Sequence, residues 1–121
     1  MAGSATITEK LSHVTQKITW AWTSDGAGAV NGNLTVSKTI EGPLLALMTI
    51  PSGGGTAPTD LYDLVINDVN GHDILAGTGT DRSATLTQYV TSGLLACAGT
   101  SLDLRISNAG ASKQGTVVIW I

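Results

Sequence analysis

His13-Val14-Thr15-Gln16-Lys17-Ile18-Thr19-Trp20-Ala21-Trp22-Thr23 decides the fold class. Its even positions carry Val14, Gln16, Ile18, Trp20 and Trp22; its odd positions carry His13, Thr15, Lys17, Thr19, Ala21 and Thr23. Side chains of a strand alternate between faces, so this period of two predicts a half-buried β-strand. Trp20 and Trp22 share parity with Ile18 and are expected in the core. Threonine fills much of the other face, being β-branched and strand-favouring without adding charge.

The same pattern spreads outward from this strand. Leu34, Val36 and Ile40 alternate with Thr35, Ser37, Thr39 and Glu41, and Leu102, Leu104 and Ile106 with Ser101, Asp103, Arg105 and Ser107. Residues 44–50 and 61–67 are more continuously apolar, and the chain closes on Thr116-Val117-Val118-Ile119-Trp120-Ile121. Between these runs stand Asp25-Gly26-Ala27-Gly28, Asn31-Gly32-Asn33, Pro51-Ser52-Gly53-Gly54-Gly55, Asn70-Gly71, Gly77-Thr78-Gly79 and Asn108-Ala109-Gly110. Such clusters favour turns. Leu86, Tyr89, Val90, Leu94 and Cys97 have helical spacing, but the intervening threonines and Gly93 argue for strand plus loop. The expectation is a single all-β domain: a β-sandwich or jelly roll of about eight short antiparallel strands. Residues 1–12 would form an N-terminal arm and first short strand, and residues 13–121 the sandwich.

Composition narrows the function. The chain has 121 residues, of which 12% are charged, and a net charge of −3. About 25% charged is usual for a soluble domain. Mean hydropathy is +0.22, yet no apolar run approaches the roughly 20 residues of a membrane-spanning helix. The polar surface must therefore come from Thr, Ser, Asn and Gly, which are easily desolvated against a protein partner. Lys10, Lys17, Lys38, Arg82, Arg105 and Lys113 are dispersed. No basic run favours nucleic acid or a membrane surface.

Each chemical motif gives way to a simpler reading. Asp68-Val69-Asn70-Gly71-His72-Asp73 resembles the opening of a calcium loop, but Gly79 stands where the closing bidentate glutamate belongs. Asn-Gly between apolar runs is instead a turn signal. Gly77–Arg82 and Gly53-Gly54-Gly55 lack the Gly-Lys-Ser/Thr ending of a phosphate loop. Asp60, Asp63, Asp68, Asp73 and Asp81 offer carboxylates for acid–base work, but aspartates are ordinary beside turns. No G-x-S-x-G elbow is present, and His13 and His72 lack metal-ligand spacing, with His13 expected on the exposed threonine face. Cys97, the one cysteine, excludes an intrachain disulfide, and its Leu94–Ala98 setting reads as core. The expectation is a non-enzyme without cofactor or metal. Trp120 has opposite parity to Val117, Ile119 and Ile121, and is the candidate surface aromatic. A sugar platform is the competing use of an exposed tryptophan.

Three stretches carry a resemblance: Lys17–Asp25; Ala57–Asp68 continuing through Asn70–Gly77; and Leu104–Gly110 with Gly115-Thr116-Val117. Together they resemble small structural proteins of tailed-bacteriophage particles, the jelly-roll head decoration (cement) proteins above all. The resemblance implies a virion structural protein, made in the host cytoplasm, that binds the major capsid protein on the outside of the head. It implies a homo-oligomer, dimer or trimer, with neither nucleic acid nor membrane as partner. The candidate interface is Trp120 with the small-residue N-terminus Met1, Ala2, Gly3, Ser4, Ala5 and Thr6. The alternative is a phage tail, fibre or receptor-binding module that takes carbohydrate.

Overall fold

A computed structural model describes residues 3–11, 16–35, 42–97 and 101–121, with side chains described at all of these except 9–11, 31–35 and 97. The described chain forms ten strands and one short 3-10 turn, Gly54–Thr56. The strands are β1 (Ser4–Leu11), β2 (Gln16–Thr23), β3 (Val30–Thr35), β4 (Gly42–Pro43), β5 (Ala46–Pro51), β6 (Asp63–Asn67), β7 (Gln88–Val90), β8 (Ala96–Cys97), β9 (Ser101–Ser107) and β10 (Gln114–Trp120). One sheet runs β1-β2-β10-β5-β7, a second β3-β9-β6, and β4-β8 is a two-residue ladder. All pairings are antiparallel. The domain is thus a small all-β sandwich, and the ambiguous stretch 86–97 is strand plus loop, β7 and β8.

The period of two translates directly into burial. Ile18, Trp20 and Trp22 of β2 face inward with Val117 and Ile119 of β10 and Leu47 of β5. Val30, Leu64, Ile66, Leu102, Leu104 and Ile106 meet them from the three-stranded sheet. Trp20 and Trp22 are 0% and 1% exposed, as their parity predicted. Fully burying each aliphatic side chain contributes about 1.5–3 kcal/mol. Trp22 lies against Tyr62, with ring centroids 5.6 Å apart. Its indole also covers Gly115: a Cβ there would sit 2.6 Å from Cζ2. Glycine is therefore required near the start of β10 to make room for the ring, although it packs nothing itself.

The first short strand expected within residues 1–12 is β1, and it takes up nearly all of the described part of that stretch. From Ser4 onward the chain is an edge strand, paired along its whole length from Ser4↔Thr23 to Leu11↔Gln16. Ala5 and Ile7 pack against the core. Gly3 is held too, because a Cβ on it would meet the Ala29 carbonyl oxygen at 2.4 Å. Small residues here allow close approach rather than mobility. The proposed strand at 34–40 begins earlier, at Val30, and residues 36–41 lie outside the described set, as do Met1, Ala2 and His13.

The loops are pinned by aspartates. Asp25 Oδ1 accepts the N–H groups of Ala27 and Ala29 at 2.8 and 2.9 Å, closing the β2–β3 turn. Asp60 accepts Ala84 N–H, and Asp63 accepts Asp81 N–H and the Asn108 amide. Carboxylate-to-amide bonds of this kind are charge-assisted and strong.

Candidate docking face

Register places the outward side chains of the five-stranded sheet in cross-strand rows. Thr6, Ala21, Thr116 and Ile50 form one row; Thr8, Thr19, Val118, Met48 and Tyr89 form the next. Lys17, Trp120 and Ala46 follow, and Ser4, Thr23 and Gln114 stand at the opposite end. Lys17 is the one charged residue among the described side chains of this face. Its rows of Thr, Ala and aliphatic side chains cost little to desolvate, and Val118 is already only 3% exposed. A shallow depression of about 460 Å³ opens at one end, lined by Thr6, Ala21, Ile50, Pro51, Gln114 and Thr116 among others.

Trp120 lies on this face, half-buried, in agreement with its parity. Tyr89, 59% exposed, leans on it with centroids 5.8 Å apart and planes tilted by 48°. Lys17 Nζ stands 5.9 Å from the Trp120 ring centroid, within cation–π range. Tyr89 escaped the sequence reading because it sits in a three-residue strand within an ambiguous segment. Of the N-terminal candidates, Ser4 and Thr6 share the face with Trp120, Ala5 turns inward, and Gly3 packs on residues 29–30.

The outward face of the three-stranded sheet is of different character. Asp63, Val65 and Asn67 of β6 stand with Ser101, Asp103, Arg105 and Ser107 of β9. Arg105 Nε donates to Asp103 Oδ2 at 2.7 Å. This side is charged and self-paired, the ordinary condition of a solvated face.

The calcium-like stretch is a turn. Gly71, at φ 79°, donates its N–H to the Asp68 carbonyl, and Asn67 bridges Asp73. Asp68 Oδ1 accepts Asn70 N–H and lies 3.2 Å from His72 Nδ1. Asp73 accepts the amides of Ile66 and Leu75 on one oxygen and of Gly77 on the other. Both carboxylates are thus committed to the loop, and among the described residues no three His, Cys, Asp or Glu side chains are grouped as metal ligands. Of the other aspartates, Asp60 and Asp63 likewise accept backbone amides, those of Ala84 and Asp81. Gly77 and Thr78 belong to turns that continue the same loop, with no helix after them. Cys97 pairs with Gly42 through β8 and β4; its side chain is outside the described set. In comparison with known proteins, no family model matches the chain and no curated protein is detectably similar to it.

Proposed function

We propose that this domain is a virion structural protein, a decoration protein that binds the outer surface of a phage head through the outward face of its five-stranded sheet. The observation that carries the reading is the contrast between the two faces: one charged and internally paired, the other Thr-rich and aliphatic, with Lys17, paired by register with Lys10 at one end, the one charge among its described side chains. Large, weakly polar surface on a small domain marks an interaction site. The major capsid protein is the proposed partner, on the strength of the sequence resemblance, and a jelly-roll connectivity and homo-oligomer belong to the same proposal. Each copy would bridge neighbouring subunits, where a second contact benefits from high effective concentration.

The test is reconstitution. Purified protein, and a Thr19→Glu/Thr116→Glu variant, are added to undecorated heads and the bound fraction is measured by sedimentation. The reading expects saturable binding near capsid stoichiometry, lost in the variant while its melting temperature holds. Failure of the native protein to bind heads overturns it.

Tyr89 favours one second reading. Its exposed ring beside Trp120 is a surface on which a sugar could stack, as in a tail or receptor-binding module. The 48° tilt works against it, since the two rings do not form one flat platform. Binding to a glycan array that is abolished by Tyr89→Ala would select this reading over decoration.

A further inference from the structure

Arg82 is the feature that neither the fold nor the docking face explains. It is 7% exposed, and among the described residues it forms no ion pair. A buried arginine is ordinarily paired. Its backbone bridges Tyr62, with Arg82 N–H donating to the Tyr62 carbonyl at 2.7 Å, and its Nη1 donates to the Thr78 carbonyl at 2.6 Å. Its Nε has no hydrogen-bond partner.

Three more polar atoms around Tyr62 share that condition: Tyr62 Oη, Thr49 Oγ1 and Trp22 Nε1. Trp22 packs on the Tyr62 ring, and its Nε1 lies over Gly115, 3.0 Å from where a Cβ would be. Gly115 and Val117 of β10 pair with Pro51 and Thr49 of β5, so Thr49 stands one position along from the indole. The Thr49 hydroxyl is near enough to bias the Tyr62 proton without meeting hydrogen-bond geometry. Burial pushes the Tyr62 hydroxyl up from its ordinary range, and Thr49 and Arg82 pull it back.

All four groups are able to donate. Trp Nε1 and Arg Nε can do nothing else, whereas the two hydroxyls can also accept. The nearby carboxylates of Asp60 and Asp63 are turned to the amides of Ala84 and Asp81. We propose that Arg82, Tyr62, Thr49 and Trp22 form a binding site for one small monovalent anion of halide size. Such an ion would accept from every donor of the set and supply the counter-charge that no described residue gives the guanidinium. Water would satisfy donors but leave the charge unbalanced, and buried unbalanced charge is costly. Thr49 and Trp22 lie on the inner side of the five-stranded sheet, Trp22 also lining the depression at the end of the docking face, and halide binding is independent of whether the domain binds heads.

The experiment has two arms. Crystals grown in NaBr are examined for anomalous scattering, with a peak expected within hydrogen-bond distance of Arg82 Nε and Tyr62 Oη. A water molecule or no peak there overturns the proposal. In solution, melting temperature is followed in NaCl, NaBr and sodium gluconate at constant ionic strength. The wild type should gain stability with halide but not with gluconate, the folding equilibrium shifting about tenfold per decade of halide above saturation. Arg82→Gln should abolish the response. Should that variant fail to fold, Tyr62→Phe and Thr49→Val decide. Each removes one donor with little change of shape, and is expected to weaken the apparent halide affinity by about tenfold, the worth of a hydrogen bond to a charged group. An identical response in all variants, or equal effects of halide and gluconate, refutes the site.

Discussion

Gly115→Ala adds one methyl group and tests the packing of the whole inner face. The new Cβ would lie 2.6 Å from Trp22 Cζ2 and 2.8 Å from Cε2, where ordinary contact begins at 3.4 Å. One partner must therefore move by about 0.8 Å, the difference between 3.4 and 2.6 Å. The indole cannot simply retreat, because Tyr62 is packed on it at 5.6 Å, and protein interiors are close-packed. Overpacking of this kind costs about 1–3 kcal/mol. A domain of this size loses roughly 4 °C of melting temperature per kcal/mol, so a fall of about 4–12 °C is expected. The assay is thermal unfolding by near-UV circular dichroism, which also reports the tryptophan environment. Trp22→Phe removes the atoms that the methyl group strikes. In that background Gly115→Ala should cost under about 0.5 kcal/mol, giving a coupling of about 0.5–3 kcal/mol in the double-mutant cycle, the range of contacting residues. A Gly115→Ala protein as stable as wild type would refute the reasoning. So would an equal loss in both backgrounds, which would assign the cost to the glycine backbone rather than to the ring.

Deleting residues 1–6 should lower the melting temperature as well as any binding to particles, because Ser4, Ala5 and Thr6 pair with Thr23, Trp22 and Ala21; unchanged stability would restore the free-arm description. Leu61 is 57% exposed and held at φ 64°, a conformation costing a non-glycine residue about 1 kcal/mol. Leu61→Gly should therefore leave stability level or raised in urea unfolding, and a marked loss would mean that its side chain packs. Asp25 is held below its ordinary carboxylate value by hydrogen bonds from Ala29 and Ala27. A depressed folded value means that its contribution is full above the unfolded value of 3.8 and is lost as pH falls through the folded one. Asp25→Asn should flatten the acid limb of the stability curve below about pH 4. Bound protein should resist rising NaCl and leave heads in urea, since few dispersed charges act across a Thr-rich face; release by moderate salt would show an electrostatic contact.

The inner half of this fold was legible because one physical rule governs it. Alternation in Lys17–Thr23 is enough to send Ile18, Trp20 and Trp22 inward, and the structure buries all three. The same parity turns Trp120 outward. Asn70-Gly71 was legible for a local reason, since glycine at positive φ is what such a turn needs. The N-terminus was harder to read. Small polar residues suit both a free arm and a strand lying close to its neighbour, and the choice is made by Ala29 and Val30, distant in sequence from Gly3.

The outward face follows a different logic, and this explains why half of the docking surface was missed. A surface row is assembled from four or five strands, each contributing one residue. Thr6, Ala21, Thr116 and Ile50 are neighbours only through register, and no local pattern unites them. Threonine in each strand reads alone as β-propensity, whereas in rows it becomes a broad, nearly uncharged plane. The Arg82 node is hidden more deeply. Its groups come from β2, β5, the residue before β6 and the loop before β7, and each has an ordinary individual explanation: core tryptophan, strand threonine, core tyrosine, loop arginine. Only together are they unusual, as four buried donor atoms without a hydrogen-bond partner beside an arginine that forms no ion pair among the described residues. In a chain with so few ions, a buried one without a counter-charge among the described residues is the departure from local consistency that most needs a ligand to account for it.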